Sequence, residues 1–318
     1  MLSLWLGIML LLTWPAAATT YNWTGNSATS GRWGDSGNWS PTGKPGNGDS
    51  VSFAQVNSIH WPFPTNDISG LTLNQIVLST NYTPIGNAFT VTGAIYCTNV
   101  VGTAFVSNSI ILGAGGVTLV VSNAANLELC GQISGSGNLT KVGTGTLTYQ
   151  YNGGNNINTG TTYVYQGLVQ VNVSGPETFG GPLVIADGSG TAATVQYLQS
   201  YEISTVPITV NGAGVLDLHG FSDLMGPNLT LNDAATIQTG TGILYLTSGT
   251  TVTYNAGAFS SATISGKLDT SSGTCTFATS SSGLFSGDLV IMAVLSDSAT
   301  IHKTGNGYLV LDGANTYT

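Results

Sequence analysis

Residues 133–149 read ISGSGNLTKVGTGTLTY, and residues 295–311 read LSDSATIHKTGNGYLVL. The two stretches align without a gap, and each places a Gly-x-Gly corner between two short runs in which apolar and polar residues alternate. Such alternation predicts β-strands with one buried face, and Gly143 and Gly305 allow a tight corner between them. One strand–corner–strand unit cannot bury its apolar side alone, so its repetition predicts stacked coils.

Two lysines support the repeat. Lys141 and Lys303 precede the corner at the same place in both stretches, and the chain has only five Lys and Arg residues. The same rhythm of strand, Gly or Asn turn, and strand recurs more loosely in residues 208–218 and 229–246. Short strands at this spacing are typical of sandwiches, barrels and solenoids, and the internal repeat favours the solenoid. We therefore expect an all-β chain in which residues 68–318 form a β-solenoid of about a dozen coils.

Charge is scarce in this chain, and its balance is acidic. Charged residues make up 6% of the 318 residues, and the formal net charge is −9. Nucleic acids and anionic lipids are both bound through clustered Lys and Arg, which five cations cannot supply. We therefore exclude nucleic acid as a partner. The Thr, Val and Gly residues suit strands and turns, whereas the Lys, Arg and Glu that support solvated helices are rare.

The three cysteines, Cys97, Cys130 and Cys275, are too few for a disulfide framework. A bridge between Cys97 and Cys130 is open if the two residues stack on nearby coils, but a buried free thiol is the commoner fate of isolated cysteines. The spacing of Cys and His does not resemble a zinc site, and we expect neither a metal nor a cofactor.

The first 18 residues predict an export signal. Residues 2–14 form an apolar run that is too short to span a bilayer, and a run of alanines follows Pro15. We place the cleavage after Ala18, and a buried first strand is the alternative interpretation. We expect a secreted or cell-surface protein without a membrane span in the mature chain.

Residues 19–67 are rich in tryptophan, with Trp23, Trp33, Trp39 and Trp61 in this segment. A solenoid has open ends whose stacked core would face water, and large aromatic rings can cover such an end. We interpret the segment as an N-terminal cap. A carbohydrate-binding face is the functional alternative, because tryptophan also stacks on sugar rings.

The stretch 137–148 resembles the autotransporter-associated β-strand repeat, whose pattern is approximately Gly-x-Leu-x-Lys-x-Gly-x-Gly-x-Leu. The best copies are residues 133–171 and 295–318, and the second copy is cut short. The first copy departs from the pattern by two extra residues and by Ile157, where an aromatic residue is usual. Residues 217–222 resemble a second recurring element of these proteins, Leu-Asp-Leu-x-Gly-Phe-Ser.

This resemblance implies a right-handed parallel β-helix that is exported and then displayed or released at the cell surface. It implies a passenger-like module but no single activity. The second copy stops at Thr318, without the continuation that follows the first copy. We therefore expect the chain to be a fragment of a longer protein.

Two motifs that suggest enzymes or metals have simpler interpretations as turns. Residues 34–37, Gly-Asp-Ser-Gly, resemble the nucleophile loop of chymotrypsin-like proteases. Too few mature residues precede Ser36 to supply the His and Asp partners in the usual order. Residues 46–49, Gly-Asn-Gly-Asp, occur once, whereas a calcium-binding β-roll needs repeated nonapeptides. We interpret both motifs as turns.

The three histidines are spread along the chain. His219 lies inside the structural element at 217–222, His302 takes the place of Thr140 in the repeat, and His60 precedes a Pro-rich loop. We therefore expect no histidine-based metal or acid–base site.

The leading functional expectation is a monomeric scaffold without catalytic activity. A stiff rod of this composition would present turns and side-chain ladders, and many Thr, Asn and Ser side chains suit weak hydrogen bonding to cell-surface or environmental glycans. We expect no catalytic, cofactor-binding or metal-binding residue.

A polysaccharide-acting β-helix enzyme, a lyase or a hydrolase, is the alternative. A lyase needs a cationic group, yet Arg32 is the only arginine and lies in the N-terminal segment. A hydrolase needs two carboxylates on one face, for which Asp217 and Asp233 are the candidate pair. The remaining candidates do not cluster in the sequence: Glu128, Glu177 and Glu202.

Overall fold

The computed structural model describes residues 18–54, 60–79, 82–98, 102–122, 124–175, 177–203, 206–226, 228–257, 260–271, 273–281, 283, 287–296 and 300–316. The predicted export signal, apart from Ala18, lies outside the described residues, as does Thr318.

Short strands make up nearly all of the regular structure. In chain order they are β1 (Thr20–Trp23), β2 (Trp39–Ser40), β3 (Ser50–Ser52), β4 (Thr65–Asn66), β5 (Thr72–Leu78), β6 (Ile85–Gly86), β7 (Phe89–Cys97), β8 (Gly102–Val106), β9 (Ile110–Leu112), β10 (Val117–Val121), β11 (Ala125–Leu129), β12 (Ile133–Gly135), β13 (Leu139–Val142), β14 (Thr146–Tyr149), β15 (Thr162–Val164), β16 (Gly167–Val171), β17 (Leu183–Ile185), β18 (Ala193–Tyr197), β19 (Ile208–Val210), β20 (Gly214–Asp217), β21 (Asp223–Met225), β22 (Asn228–Asn232), β23 (Thr236–Gln238), β24 (Leu244–Leu246), β25 (Thr251–Asn255), β26 (Ala262–Ser265), β27 (Lys267–Asp269), β28 (Thr274–Thr279), β29 (Leu289–Ile291), β30 (Val294–Ser296), β31 (Thr300–Thr304) and β32 (Leu309–Leu311). A single-turn 3₁₀ helix spans Ser36–Asn38.

The strands stack into sheets that run along the molecule. Sixteen strands form the first sheet, ten form the second and four form the third, while β4 and β6 pair with each other. Neighbours in a sheet come from successive coils and are parallel, as in β10, β13 and β15. The pairing of β1 with β2 is antiparallel. The chain is therefore a parallel β-solenoid of about ten turns, which confirms the predicted fold class.

Along each strand, side chains alternate between core and solvent, and equivalent positions stack in columns. Each fully buried Leu or Ile side chain stabilises the fold by about 1.5–3 kcal/mol, so the inward columns hold the coils together. One inward column of the second sheet is apolar and ends at the half-buried Leu311. Its other members are all buried: Ala104, Leu127, Leu147, Val169, Val195, Leu216, Ile237, Ile264 and Ile291. One outward column of the first sheet is mainly threonine, and it consists of Thr118, Thr140, Tyr163, Val184, Thr209, Thr230 and Thr253.

The length of the coils reduces their number below the expected dozen. Side chains that hydrogen-bond between neighbouring coils of the second sheet are 21 to 26 residues apart in the chain. The chain consequently completes about ten turns rather than a dozen.

Three of the four tryptophans in residues 19–67 are buried, and Trp61 is half-buried. Trp23, Trp33 and Trp39 pack against one another and against Phe53, with ring centroids 4.9 Å apart for Trp23 and Trp39. Strand β1 pairs with β3, and β3 pairs with β5, so this segment continues the first sheet. Because their rings lie in the core, these three side chains are not exposed for stacking on sugar rings.

The corner after β13 explains the glycine of the repeat. Gly143 has a φ of +82°, and a Cβ atom there would lie 2.2 Å from the carbonyl oxygen of Val121 on the preceding coil. The backbone conformation and the close approach both require glycine.

Lys141 is buried in the core of the solenoid. It occupies an inward position of β13, stacked between Leu119 and Val164. Burial lowers the pKa of Lys141 to about 8, so the ammonium form still dominates at pH 7. Its Nζ donates three hydrogen bonds to backbone carbonyl oxygens, those of Gly143 (2.5 Å), Gly145 (2.8 Å) and Gln166 (2.7 Å). Three donors therefore meet three acceptors, which offsets the cost of burying the charge.

The second copy of the repeat has slipped by two residues relative to the first. The sequences pair Thr140 with His302, whereas the stacked column that starts at Thr140 reaches Thr304. A slip of two residues keeps each side chain on its original face of the sheet, so His302 is exposed. Lys303 keeps the inward face, in register with the buried Phe277, but it is exposed because β31 ends the first sheet. Its ammonium donates to the carbonyl oxygens of Thr304 and Gly305.

All three cysteines are free. Cys97 ends β7 of the first sheet, whereas Cys130 follows β11 of the second sheet, so the alternative of a bridge between them is not formed. Cys97 and Cys275 are buried, and burial raises the pKa of Cys97 to about 11.

The part of the chain that the structure describes contains no helix with the length and hydropathy of a membrane span.

Candidate functional site

A row of polar side chains runs along the outside of the second sheet. In register, the row consists of Thr148, Gln170, Gln196, Asp217 and Gln238. Each of these residues follows a member of the buried apolar column by one position, so its side chain points outward. We call the first four residues the amide ladder.

Hydrogen bonds run in one direction along the amide ladder. Thr148 Oγ1 donates to Gln170 Oε1 at 3.3 Å, and Gln170 Nε2 donates to Gln196 Oε1 at 3.0 Å. Gln196 Nε2 then donates to Asp217 Oδ2 at 3.1 Å. Aligned hydrogen bonds polarise one another, and a carboxylate is a strong terminal acceptor. The ladder therefore holds Asp217 in one orientation.

Asp217 in turn positions His219. Its Oδ1 accepts the backbone N–H of His219 at 2.8 Å, and its Oδ2 lies 3.7 Å from His219 Nδ1. The φ of His219 is +50°, in the left-handed region that few non-glycine residues adopt. The His219 side chain is 58% exposed, against 11% for Asp217. The imidazole thus faces solvent above a shielded carboxylate.

His219 borders a surface cleft of about 520 Å³. The cleft lies beside the corner that follows the second sheet, and three successive coils line it: Asp217, His219 and Gly220 from the first, Gln238, Gly240 and Thr241 from the second, and Ser265 and Gly266 from the third. A Cβ atom on Gly266, whose φ is +99°, would lie 2.2 Å from the Thr239 hydroxyl. Glycine is therefore required at this position of the lining.

Gln238 is the next member of the row after Asp217. Its side chain is exposed, and among the described residues no group hydrogen-bonds its amide. A side-chain amide has both donors and an acceptor. Gln238 can therefore bind a ligand that enters the cleft.

The candidate acid pair, Asp217 and Asp233, does not share a site. Asp233 lies at the corner after β22, where its Oδ1 accepts the N–H of Ser260 at 3.0 Å. It borders a separate and smaller cleft with Gly188 and Gly212. The two-carboxylate geometry of a hydrolase is therefore not formed by these residues.

The other candidate residues lie away from the cleft. His60 packs edge-on against Trp61 with ring centroids 5.2 Å apart, and His302 lies on β31. The backbone of Arg32 bridges that of Thr65 in the N-terminal segment. His219 is thus the one histidine of the three that borders the cleft.

The Gly-Asp-Ser-Gly motif forms a turn, as predicted. Asp35 precedes the 3₁₀ helix and accepts the N–H of Gly37 at 3.1 Å. Its carboxylate also accepts the hydroxyls of Ser27 and Ser30. The hydrogen bond from Ser27 and those from Gly37 and Ser30 lower the pKa of Asp35. Asp35 therefore stabilises a loop of the N-terminal segment.

Two carboxylates, Glu202 and Asp223, are fully buried. Glu202 accepts the backbone N–H of Val173 at 3.1 Å and the hydroxyl of Thr178, and Asp223 accepts the N–H of Ile203 at 2.9 Å. Burial raises the pKa of Glu202 to about 7, and the charge of Asp223 adds to the effect. The two carboxylates act as acceptors for backbone N–H groups inside the fold.

Glu202 was a candidate carboxylate in the sequence, but neither its burial nor that of Asp223 was predicted. The available signal was the alternation in β21, which places Asp223 in an inward column with Leu244 and Leu268. No such alternation marks Glu202, because it lies outside any strand.

Among the described residues, no group of three or more His, Cys, Asp and Glu side chains is arranged to hold a metal ion.

Comparison with known protein families, with curated proteins and with solved structures finds no match. The similarity to autotransporter-associated repeats therefore rests on the residues of the two repeat copies. The parallel solenoid itself rests on the strand pairing.

Proposed function

We propose that the protein is an exported, secreted or surface-displayed β-helical scaffold, passenger or adhesin-like, that binds glycans and catalyses no reaction. The observation that carries this proposal is the row of outward polar side chains from Thr148 to Gln238, which continues without interruption over five coils. The resemblance to autotransporter-associated repeats supports export and display.

The row suits a polymer of sugar rings. Its members follow one another at the spacing of parallel strands, about 4.8 Å, which is close to the length of one ring along a glycan chain. The hydrogen bonds within the row use only part of each amide, so Gln170, Gln196 and Gln238 can still offer donors or acceptors to the hydroxyl groups of a glycan. Weak contacts that repeat along a rigid rod add up through multivalency.

A polysaccharide-acting enzyme is the second candidate function. The observation in its favour is the cleft that contains Asp217 and His219, because a carboxylate beside an imidazole can take part in acid–base chemistry. The scaffold remains the better-supported function, since Asp217 is the one carboxylate in the lining of the cleft.

The test is a panel of polysaccharides presented to the purified protein spanning residues 19–318, with both binding and product release recorded. Binding without product release supports the scaffold. Release of shorter glycans would overturn the scaffold in favour of the enzyme. A protein that binds no member of the panel would contradict glycan binding.

A further inference from the structure

We propose that the cleft bordered by His219 and Gln238 is the principal subsite of the rod and that it takes a ring of a neutral, hydroxyl-rich glycan. This inference rests on the proposed function for the class of ligand, and it adds the location, the charge preference and the contacting side chains.

The first argument comes from hydrogen bonding along the row. Within the amide ladder, the amide of Gln170 donates a hydrogen bond to that of Gln196, and the amide of Gln196 donates one to Asp217. Gln238 continues the row in register but makes no side-chain hydrogen bond to another described residue. The whole amide of Gln238 is therefore available to a ligand at the cleft, whereas the amides of Gln170 and Gln196 are partly used within the row.

The second argument is the conformation of His219. A non-glycine residue in the left-handed region needs support from its surroundings. Here Asp217 compensates by accepting the backbone N–H of His219, and Gln196 Nε2 lies 3.4 Å from His219 Nδ1. The amide ladder thus supports an exposed imidazole at the border of the cleft, where its edge can hydrogen-bond a hydroxyl group.

The third argument is charge. The lining contains no Lys or Arg, so an acidic sugar would find no cation there. The Asp217 carboxylate is shielded, and it already accepts hydrogen bonds from Gln196 and His219, so it offers little to a basic sugar. Burying a charge without a partner is costly, which leaves a neutral ligand as the best match. The volume also falls within the range of about 300–1,000 Å³ that small-ligand sites occupy.

Isothermal titration calorimetry with neutral hexasaccharides tests the proposal. The probes are the hexasaccharides of β-1,4-linked glucose, β-1,4-linked xylose and α-1,4-linked glucose, with a hexamer of galacturonic acid as the acidic comparison. The variants are His219→Asn, chosen because asparagine adopts the left-handed region readily, and Gln238→Ala. His302→Asn is the matched control at an exposed histidine on another sheet, and unchanged thermal melting verifies that each variant is folded.

We expect a neutral hexasaccharide to bind the wild-type protein and His302→Asn equally, and at least ten-fold more weakly to His219→Asn and Gln238→Ala. Equal affinity for all four proteins would show that the glycan binds elsewhere, so the cleft would be wrong and the proposed function would survive. Stronger binding of the galacturonic acid hexamer would overturn the charge preference. A wild-type protein that binds neither the hexasaccharides nor any polysaccharide of the panel would overturn the proposed function together with this inference.

Discussion

The ammonium of Lys141 donates a 2.7 Å hydrogen bond to the backbone carbonyl oxygen of Gln166, which lies on the next coil. A charged side chain therefore joins two coils from within the core, between apolar neighbours above and below. The lysine of the repeat is a structural residue, because its three donors complete a corner that would otherwise bury unpaired carbonyl groups.

Replacing this lysine should destabilise the solenoid. Lys141→Met keeps most of the side-chain volume but leaves the carbonyl groups of Gly143, Gly145 and Gln166 without their donor. An unpaired buried polar group costs about 1–3 kcal/mol, so we expect a clear decrease in the thermal melting temperature. Lys303→Met is the control, because Lys303 is exposed and should change stability by less than about 0.5 kcal/mol. Equal effects of the two substitutions would contradict the structural role.

The corner glycine should be equally sensitive. In Gly143→Val the new Cβ would lie 2.2 Å from the Val121 carbonyl oxygen, in a backbone conformation that valine avoids. We expect lower thermal stability and poorer recovery of folded protein. Gly115→Val is the matched control, since a Cβ atom on Gly115 has no neighbour within 4 Å. A Gly143→Val protein that melts like the wild type would refute this account of the corner.

Stability should depend on pH through Glu202. Its pKa is about 7 in the folded protein against 4.5 for an ordinary glutamate, so the folded state binds more protons between these values. Stability should therefore fall as the pH rises from about 4.5 to about 7, by up to about 3 kcal/mol. Urea denaturation at a series of pH values measures this slope.

Glu202→Gln should flatten that slope, because the amide keeps an acceptor for the N–H of Val173 and does not titrate. Asp312→Asn, at an exposed position, serves as the control and should leave the slope unchanged. If the slope of Glu202→Gln matched that of the wild type, the pH dependence would have another origin.

Thiol reactivity should follow burial. Cys97 and Cys275 are buried, whereas Cys130 is partly exposed. Burial raises the pKa of all three thiols, so labelling of the native protein by a thiol reagent should be slow, with Cys130 reacting first. Mass spectrometry after unfolding without reductant should find three labelled cysteines. A protein with only one labelled cysteine would contain a disulfide between the other two.

The cleft is an example of what sequence patterns do not reveal. Asp217 and His219 were interpreted as parts of a structural element, and the hydrogen bond that the His219 backbone N–H donates to Asp217 agrees with that interpretation. Their position beside Gln238 and Ser265 could not be inferred, since these residues are distant in the chain and meet only when three coils stack. The burial of Glu202 was not predicted because this residue lies outside any strand, whereas the alternation in β21 marks Asp223 as facing inward.

Local patterns were sufficient for the fold class. Alternation with a period of two assigns each side chain to the core or to solvent, and glycine at the corners permits the turns, so a repeated unit leads to a parallel solenoid. Which residues lie above one another depends instead on the length of every corner, and this length varies from coil to coil. That dependence explains both the two-residue slip between Thr140 and His302 and the assembly of the cleft, which only the stacked coils reveal.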